Sequence, residues 1–117
     1  MDSLTETVAA IVAFRDERDW AQFHTPRNLA AALAIEAAEL QEIMLWRSDQ
    51  EIDTLLAEPT RRQQLQDELG DVLIFTLLLC QSCRMDPLKA VQHKLAVNAT
   101  KYPVDKARGV STKYTEL

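Results

Sequence analysis

The chain has 117 residues, of which 47% are hydrophobic and 26% are charged, and its formal net charge is −5. This length fits one domain, and the composition is that of an ordinary globular protein and not of a disordered one. The acidic balance argues against a protein that holds a nucleic-acid polymer through phosphate contacts, because such a protein needs a basic face.

The first half of the chain reads as two helices joined by a short turn, and no segment alternates like a strand. Ser3 and Glu6 form a capping box, which predicts a first helix that runs to about Trp20. Thr25-Pro26 combines an N-cap with proline at the first helical position, which predicts a second helix that runs to about Arg47.

A short helix or turn is predicted over residues 49–57, and Pro59 stops it. Thr60 and Gln63 then form another capping box, which predicts a long helix from this point to about Arg84.

The last predicted helix begins at Asp86-Pro87 and ends near Lys101, since Pro103 disfavours its continuation. The remaining segment has a low helix signal. The sequence therefore predicts an all-α fold, a four-helix bundle with short connections. Its helical domain would cover residues 1–103, with residues 104–117 as the C-terminal tail of the same domain.

The predicted long helix contains a segment, Val72–Cys80, that is apolar on all sides. A helix of this kind is normally surrounded by other helices, and a 117-residue monomer with few large residues in its first helix would struggle to enclose it. We therefore expect a homo-oligomer, either a homodimer or a homotetramer.

The N-terminal segment has no basic n-region and its apolar residues are interrupted by acids and threonines, so it does not resemble a signal peptide. The longest apolar run is far shorter than the roughly 20 residues that span a bilayer. We expect a soluble, cytoplasmic protein with no membrane partner.

Two pairs of acids occupy unexpected positions on the predicted helices. Glu36 lies within roughly 20° of the centre of the apolar arc of the second helix, if each residue advances about 100°. Glu39 lies at the edge of that arc, and Glu68 and Asp71 extend the apolar stripe of the long helix. Each pair has the i,i+3 spacing that places both carboxylates on one face.

Four carboxylates that face one another would repel strongly unless cations lie between them. An all-oxygen set with no nearby His or Cys suits Mg²⁺, or Mn²⁺, better than zinc. The alternatives are ion pairs with Arg or Lys on another helix, or solvated side chains. A ferritin-type di-iron site would need Glu-x-x-His pairs, which the chain lacks.

The chain resembles the all-α nucleotide pyrophosphohydrolases of the MazG type, and within them the dCTP pyrophosphatase-like branch. The metal signature of that family, E-x-x-E and then E-x-x-D, corresponds to residues 36–39 and 68–71. The resemblance spans nearly the whole chain, and the segments that make it specific are Arg18–Leu29, Trp46, Asp71–Phe75, Lys94–Pro103 and Lys113–Leu117.

The resemblance implies hydrolysis of a nucleoside triphosphate between the α- and β-phosphates, which gives a monophosphate and pyrophosphate. Glu36, Glu39, Glu68 and Asp71 would hold the magnesium ions, and either Glu36 or Glu39 would orient or deprotonate the attacking water. The implied substrates are dCTP and modified pyrimidine deoxynucleotides, and the implied role is cleaning of the nucleotide pool.

The resemblance also implies residues that bind the substrate. Lys94, Asn98 and Lys101 lie at i, i+4 and i+7 on the last helix and, with Tyr102, suit phosphate capture. A solvated helix face is the alternative.

Three further residues are candidates for nucleoside binding. Trp20 and Trp46 are placed near the nucleoside, although either could instead fill a helix end or a subunit contact. His24 could hydrogen-bond the base or a phosphate, or it could cap the second helix.

The sequence departs from the family pattern at one position, and it also contains a pair of cysteines that needs an interpretation. The family branch often carries a tyrosine where this chain has Phe75, so a hydroxyl contact is lost there. Cys80 and Cys83 form a C-x-x-C that lacks a second zinc-ligand pair, and we interpret them as reduced, structural thiols. The alternative function is a non-catalytic nucleotide- or metal-binding helical module with a regulatory role.

Overall fold

A computed structural model describes residues 3–117, so the first two residues of the N-terminal segment lie outside this range. Every regular element in the range is helical, which confirms the all-α prediction. The elements are α1 (Leu4–Glu17), α2 (Pro26–Met44), α3 (Asp49–Ala57), α4 (Pro59–Ser82), α5 (Pro87–Lys101), α6 (Val104–Ala107) and a 3₁₀ helix, Tyr114–Glu116.

Three of the predicted helix starts occur at the expected N-caps, where a side-chain oxygen accepts a backbone N–H of the first turn. The Ser3 hydroxyl accepts from the Glu6 N–H, and Thr25 and Asp86 cap α2 and α5 in the same way. A capping box that the sequence analysis did not predict, Ser48 with Glu51, opens α3.

The predicted start of α4 is wrong by two residues. Its N-cap is Glu58, whose carboxylate accepts the N–H groups of Thr60 and Arg61 at 3.1 and 2.8 Å. Helix α3 ends at Ala57, as predicted, but Pro59 does not lie outside the next helix. It is the first residue of α4, where the missing N–H of proline has no helical partner to lose.

Helices α1, α2 and α4 end two to three residues before the predicted positions. Just after the C-cap of each lies a residue in the left-handed region: Asp19 (φ 54°), Trp46 (φ 63°) and Arg84 (φ 58°). A left-handed residue at this position turns the chain away from the helix axis and ends the helix. Glycine is the usual occupant, and none of these three residues is glycine.

The chain forms two compact units, of which the first extends to Arg84 and the second covers residues 85–117. In the first unit α4 packs against α2 and also contacts α1 and α3. The buried core residues are leucines from three of these helices: Leu29, Leu55, Leu65 and Leu78. The end of α4 lies near the start of α2, where the Ser82 hydroxyl donates weakly to the His24 carbonyl (3.5 Å). This contact shows that α2 and α4 run antiparallel.

Much of the apolar segment of α4 is not enclosed. Leu78 is only 4% exposed, but Leu73 is 60% exposed, and Ile74 and Leu69 also have large exposed fractions. Apolar area of this size on the central helix of a unit is typical of a surface that another polypeptide covers.

In the second unit, the end of the segment Lys94–Pro103 contacts the segment Lys113–Leu117. The rings of Tyr102 and Tyr114 pack edge to face with centroids 5.9 Å apart, and the Lys101 ammonium lies 4.5 Å from the Tyr114 centroid. These contacts hold the C-terminal tail against the end of α5. Across residues 3–117, no helix has the length and apolar character that crossing a membrane requires.

Candidate active site

The contact between α2 and α4 brings three of the predicted acids together. Glu36 and Glu39 share one face of α2, and Glu68 lies on α4. One carboxylate oxygen from each lies within 4.8 Å of the other two. We call these three residues the carboxylate cluster.

The cluster is electrostatically strained without a cation. Burial raises the pKa of Glu36 from 4.5 to about 7, and the neighbouring carboxyl groups of Glu39 and Glu68 and the charge of Asp71 contribute to the increase. The buried Oε2 atoms of Glu36 and Glu68 have no hydrogen-bond partner. A proton on Glu36 would let it donate to a neighbouring carboxylate, and a divalent cation would satisfy the same oxygens without a proton. The donor set therefore fits a hard cation.

Asp71, the fourth predicted acid, lies one helical turn after Glu68 and is exposed to solvent. It is not one of the three carboxylates that lie within 4.8 Å of each other. Its charge nevertheless raises the pKa of Glu36, and its side chain lines a neighbouring cavity. Asp71 thus lies between the carboxylate cluster and that cavity.

This cavity, the apolar cavity, has a volume of about 410 Å³ and lies between α1, the turn before α2, and α4. Trp20, His24 and Phe75 line it, together with Phe14 and Leu78 and other residues of α1 and α4. The Trp20 ring packs edge to face on Phe14 at 5.8 Å and lies 6.3 Å from the His24 ring. The wall is thus aromatic and mostly without hydrogen-bonding groups.

His24 is one of the polar residues that line the cavity, together with Thr7, Arg15 and Asp71. Its Nδ1 atom is buried and has no hydrogen-bond partner. Burial and then the charge of Arg15 lower its pKa below the usual 6.5, so the neutral ring predominates at pH 7. His24 therefore contributes a neutral ring to the lining of the cavity.

Arg15 lines the same cavity and was missed by the sequence analysis. Its Nη1 donates to Gln81 Oε1 of α4 and its Nε donates to Asp16 Oδ1, both at 2.9 Å. Its side chain is only 14% exposed. The available signal was its position four residues after Ile11, on the apolar side of α1.

The other predicted binding residues do not line the apolar cavity. Trp46 is 92% exposed at the end of α2. Lys94, Asn98, Lys101 and Tyr102 belong to the second unit, where Asn98 and Lys101 are half-buried and Lys94 is exposed.

The two cysteines are free thiols. Cys80 lies near the end of α4 and Cys83 is its C-cap, and both are half-buried.

Comparison with known proteins gives consistent relatives. The MazG-like family matches residues 31–117. Over 104 residues, which are 89% of this chain, the sequence is 46% identical to dCTP pyrophosphatase 1 of Rattus norvegicus and 47% identical to that of Homo sapiens. The chain spans about 61% of the length of these relatives.

A solved structure extends the similarity to the fold. A pyrophosphatase from Archaeoglobus fulgidus is 40% identical and superposes with a TM-score of 0.79, over 86% of this chain and 92% of that one. With sequence and fold in agreement over most of its length, the chain belongs to the MazG-like family.

Proposed function

We propose that the protein hydrolyses nucleoside triphosphates between the α- and β-phosphates and releases a monophosphate and pyrophosphate. The observation that carries this proposal is the carboxylate cluster, with its two unpartnered buried oxygens, next to an aromatic cavity. The similarity to proteins named dCTP pyrophosphatase and pyrophosphatase supports the same reaction class.

In this proposal Glu36, Glu39, Glu68 and Asp71 hold Mg²⁺, with Mn²⁺ as a possible substitute. The metal would neutralise charge that develops on the phosphates. Either Glu36 or Glu39 orients the attacking water. Glu39 is the more exposed of the two to solvent water, and the raised pKa of Glu36 describes the metal-free site only.

The apolar cavity would receive the nucleoside. Trp20 offers a ring for stacking, which is worth about 1–3 kcal/mol per base, and the His24 ring lines the same cavity. The similarity to proteins named dCTP pyrophosphatase supports dCTP and modified pyrimidine deoxynucleotides as the substrates that we propose. The apolar walls of the cavity would suit an apolar substituent on the base. Removal of such nucleotides from the pool is the corresponding cellular role.

The face of α5 that carries Lys94, Asn98 and Lys101, with Tyr102 after it, would contact the phosphates. The spacing of these residues places two ammonium groups and an amide on one side of the helix. The Lys101 ammonium already lies over the Tyr114 ring, which limits its motion before a phosphate arrives.

The chain would form a four-helix bundle with short connections and would act as a homodimer or homotetramer. Leu73 and Ile35 are about 60% exposed, and α5 exposes an apolar stripe of Leu88, Val91 and Leu95. Trp46 would be covered in the same assembly, beside either a nucleoside or another subunit.

The direct test is incubation with the canonical and several 5-modified nucleoside triphosphates, with and without Mg²⁺, followed by ion-exchange separation of the products. Monophosphate and pyrophosphate, formed only with metal, are the expected products. Diphosphate and phosphate would contradict cleavage at the α–β bond. Binding without turnover would instead indicate the non-catalytic module.

A further inference from the structure

A second cavity of about 360 Å³ lies next to the carboxylate cluster, and we call it the arginine cleft. It shares Glu39 and Glu68 with the cluster and adds two basic residues, Arg47 and Arg61. Glu42, Ile43 and Gln64 complete its lining. Unlike the apolar cavity, this cleft offers charged groups on most of its walls.

The apolar cavity, the carboxylate cluster and the arginine cleft all include residues from one face of α4. Six residues on that face are separated alternately by three and four positions, so they form a single stripe. In order along the helix they are Arg61, Gln64, Glu68, Asp71, Phe75 and Leu78.

The character of this stripe changes from one end to the other. Phe75 and Leu78 line the apolar cavity, Glu68 belongs to the cluster, and Arg61 lines the cleft. At a rise of 1.5 Å per residue, Arg61 lies about 10 Å from Glu68 along the axis. A molecule with an apolar ring at one end and anionic groups at the other matches this order.

The guanidinium groups of the cleft have unused hydrogen-bond donors. Arg47 donates its Nε to the Ile43 carbonyl at 2.9 Å, and neither Arg47 nor Arg61 has a carboxylate within 4.0 Å in the part of the chain that the structure describes. The backbone N–H of Arg61 is bound by the Glu58 cap, so only its side chain is free to bind a ligand. A free planar guanidinium binds phosphate oxygens in pairs.

The charge of the cleft depends on the metal. Three carboxylates, Glu39, Glu42 and Glu68, line the cleft with two guanidinium groups, and Glu36 lies beside them in the carboxylate cluster. With all four carboxylates ionised the net charge is minus two, and one divalent cation on the cluster would bring it to zero. The cation should therefore strengthen the attraction of the cleft for a polyanion.

We propose that Arg47 and Arg61 form a subsite for a diphosphate group, which takes the β- and γ-phosphates of the substrate and the pyrophosphate product. This inference rests on the proposed function for its substrate, but the subsite can be tested without turnover. It adds Arg47, which follows α2, and Arg61 of α4 to the phosphate-binding residues proposed on α5.

The test measures pyrophosphate binding by isothermal titration calorimetry at fixed free Mg²⁺, for the 117-residue chain and two variants. Arg47→Gln and Arg61→Gln should each weaken pyrophosphate binding by about tenfold to a hundredfold, the usual effect of losing a charge-assisted hydrogen bond. Arg62→Gln is the matched control, because Arg62 follows Arg61 on the same helix, has the same charge and lines neither cavity.

A second measurement separates the subsite from a general loss of folding. Inhibition by the nucleoside monophosphate should be the same in wild type, Arg47→Gln and Arg61→Gln, since the monophosphate has no β- or γ-phosphate. Arg47→Gln and Arg61→Gln should each raise KM for the triphosphate. Arg47→Lys and Arg61→Lys should give KM values between those of wild type and the glutamine variants, because lysine keeps only the charge.

The outcomes distinguish the subsite from the proposed function. Pyrophosphate binding that is unchanged in both variants, or absent from wild type with Mg²⁺, would overturn the subsite even if the enzyme is active. Binding that depends on the arginines in a protein without turnover would support the subsite and contradict the proposed function. Equal losses in Arg62→Gln would also overturn it, since the effect would then be one of overall charge.

Discussion

Replacement of Glu36 by glutamine should stabilise the metal-free protein at pH 8 and leave its stability at pH 5 nearly unchanged. The folded state raises the pKa of Glu36 from 4.5 to about 7. Below pH 4.5 the group is protonated in both the folded and the unfolded states. Between pH 4.5 and 7 only the folded state keeps the proton, so wild type loses stability as the pH rises through this window. Glutamine cannot lose that proton.

The size of the effect follows from the shift. About 1.36 kcal/mol per pKa unit gives an upper limit of about 3 kcal/mol for Glu36. Its side chain is half-buried and water relieves part of the penalty, so we expect about 1–2 kcal/mol at pH 8. In a chain of this length this corresponds to an increase of about 3–10 °C in Tm.

The assay is thermal unfolding followed by circular dichroism at pH 5 and pH 8, in EDTA and then in Mg²⁺, at one fixed protein concentration. In Mg²⁺ at pH 8, wild type should regain stability and Glu36→Gln should gain less. Glu17→Gln, at an exposed carboxylate on α1, is the control and should not depend on pH in this way. A difference between Glu36→Gln and wild type that is equal at pH 5 and pH 8 would refute the reasoning.

Three further changes address the site and the assembly. Glu39→Gln and Asp71→Asn should each abolish turnover and weaken Mg²⁺ binding in calorimetry with unchanged helicity, and full activity in both variants would contradict the four-carboxylate site. Phe75→Tyr adds a hydroxyl to the apolar cavity. One new hydrogen bond of about 0.5–1.5 kcal/mol should change the ratio of kcat/KM between dCTP and CTP about two- to tenfold. An identical ratio in the variant and in wild type would show that this position does not contact the substrate. Leu73→Glu should shift the protein to a smaller species in size-exclusion chromatography with light scattering, and a monomeric wild type would reject the proposed oligomer.

The helix starts could be predicted because their signals are local. Ser3, Thr25 and Asp86 each place an oxygen beside a backbone N–H that lies two or three residues ahead. The predicted start of α4 was wrong, because Glu58 and Thr60 are both residues that can cap a helix and they lie on either side of a proline. Proline at the first helical position favours the residue before it.

The helix ends could not be predicted as well. The usual signal is glycine just after the C-cap, but Asp19, Trp46 and Arg84 adopt the left-handed conformation in this chain. A left-handed non-glycine residue has an energetic cost that the surrounding packing must offset. That packing involves residues distant in sequence, so no local pattern reveals it.

Periodicity correctly placed the paired acids on helix faces, but it could not determine which of them meet. Glu36, Glu39 and Glu68 converge because α2 packs against α4, whereas Asp71 faces solvent beside the apolar cavity. Arg15 was missed for a related reason. Its role in the cavity depends on Gln81 of another helix, which lies 66 positions away.

The left-handed turn after α2 also makes Trp46 an optical probe. Its ring is 92% exposed, whereas that of Trp20 is 43% exposed, and the chain has no other tryptophan. In a Trp20→Phe variant all tryptophan emission would come from this one ring. A blue shift on concentration, or quenching on addition of a nucleotide, would then report which of the two covers Trp46, with no label attached.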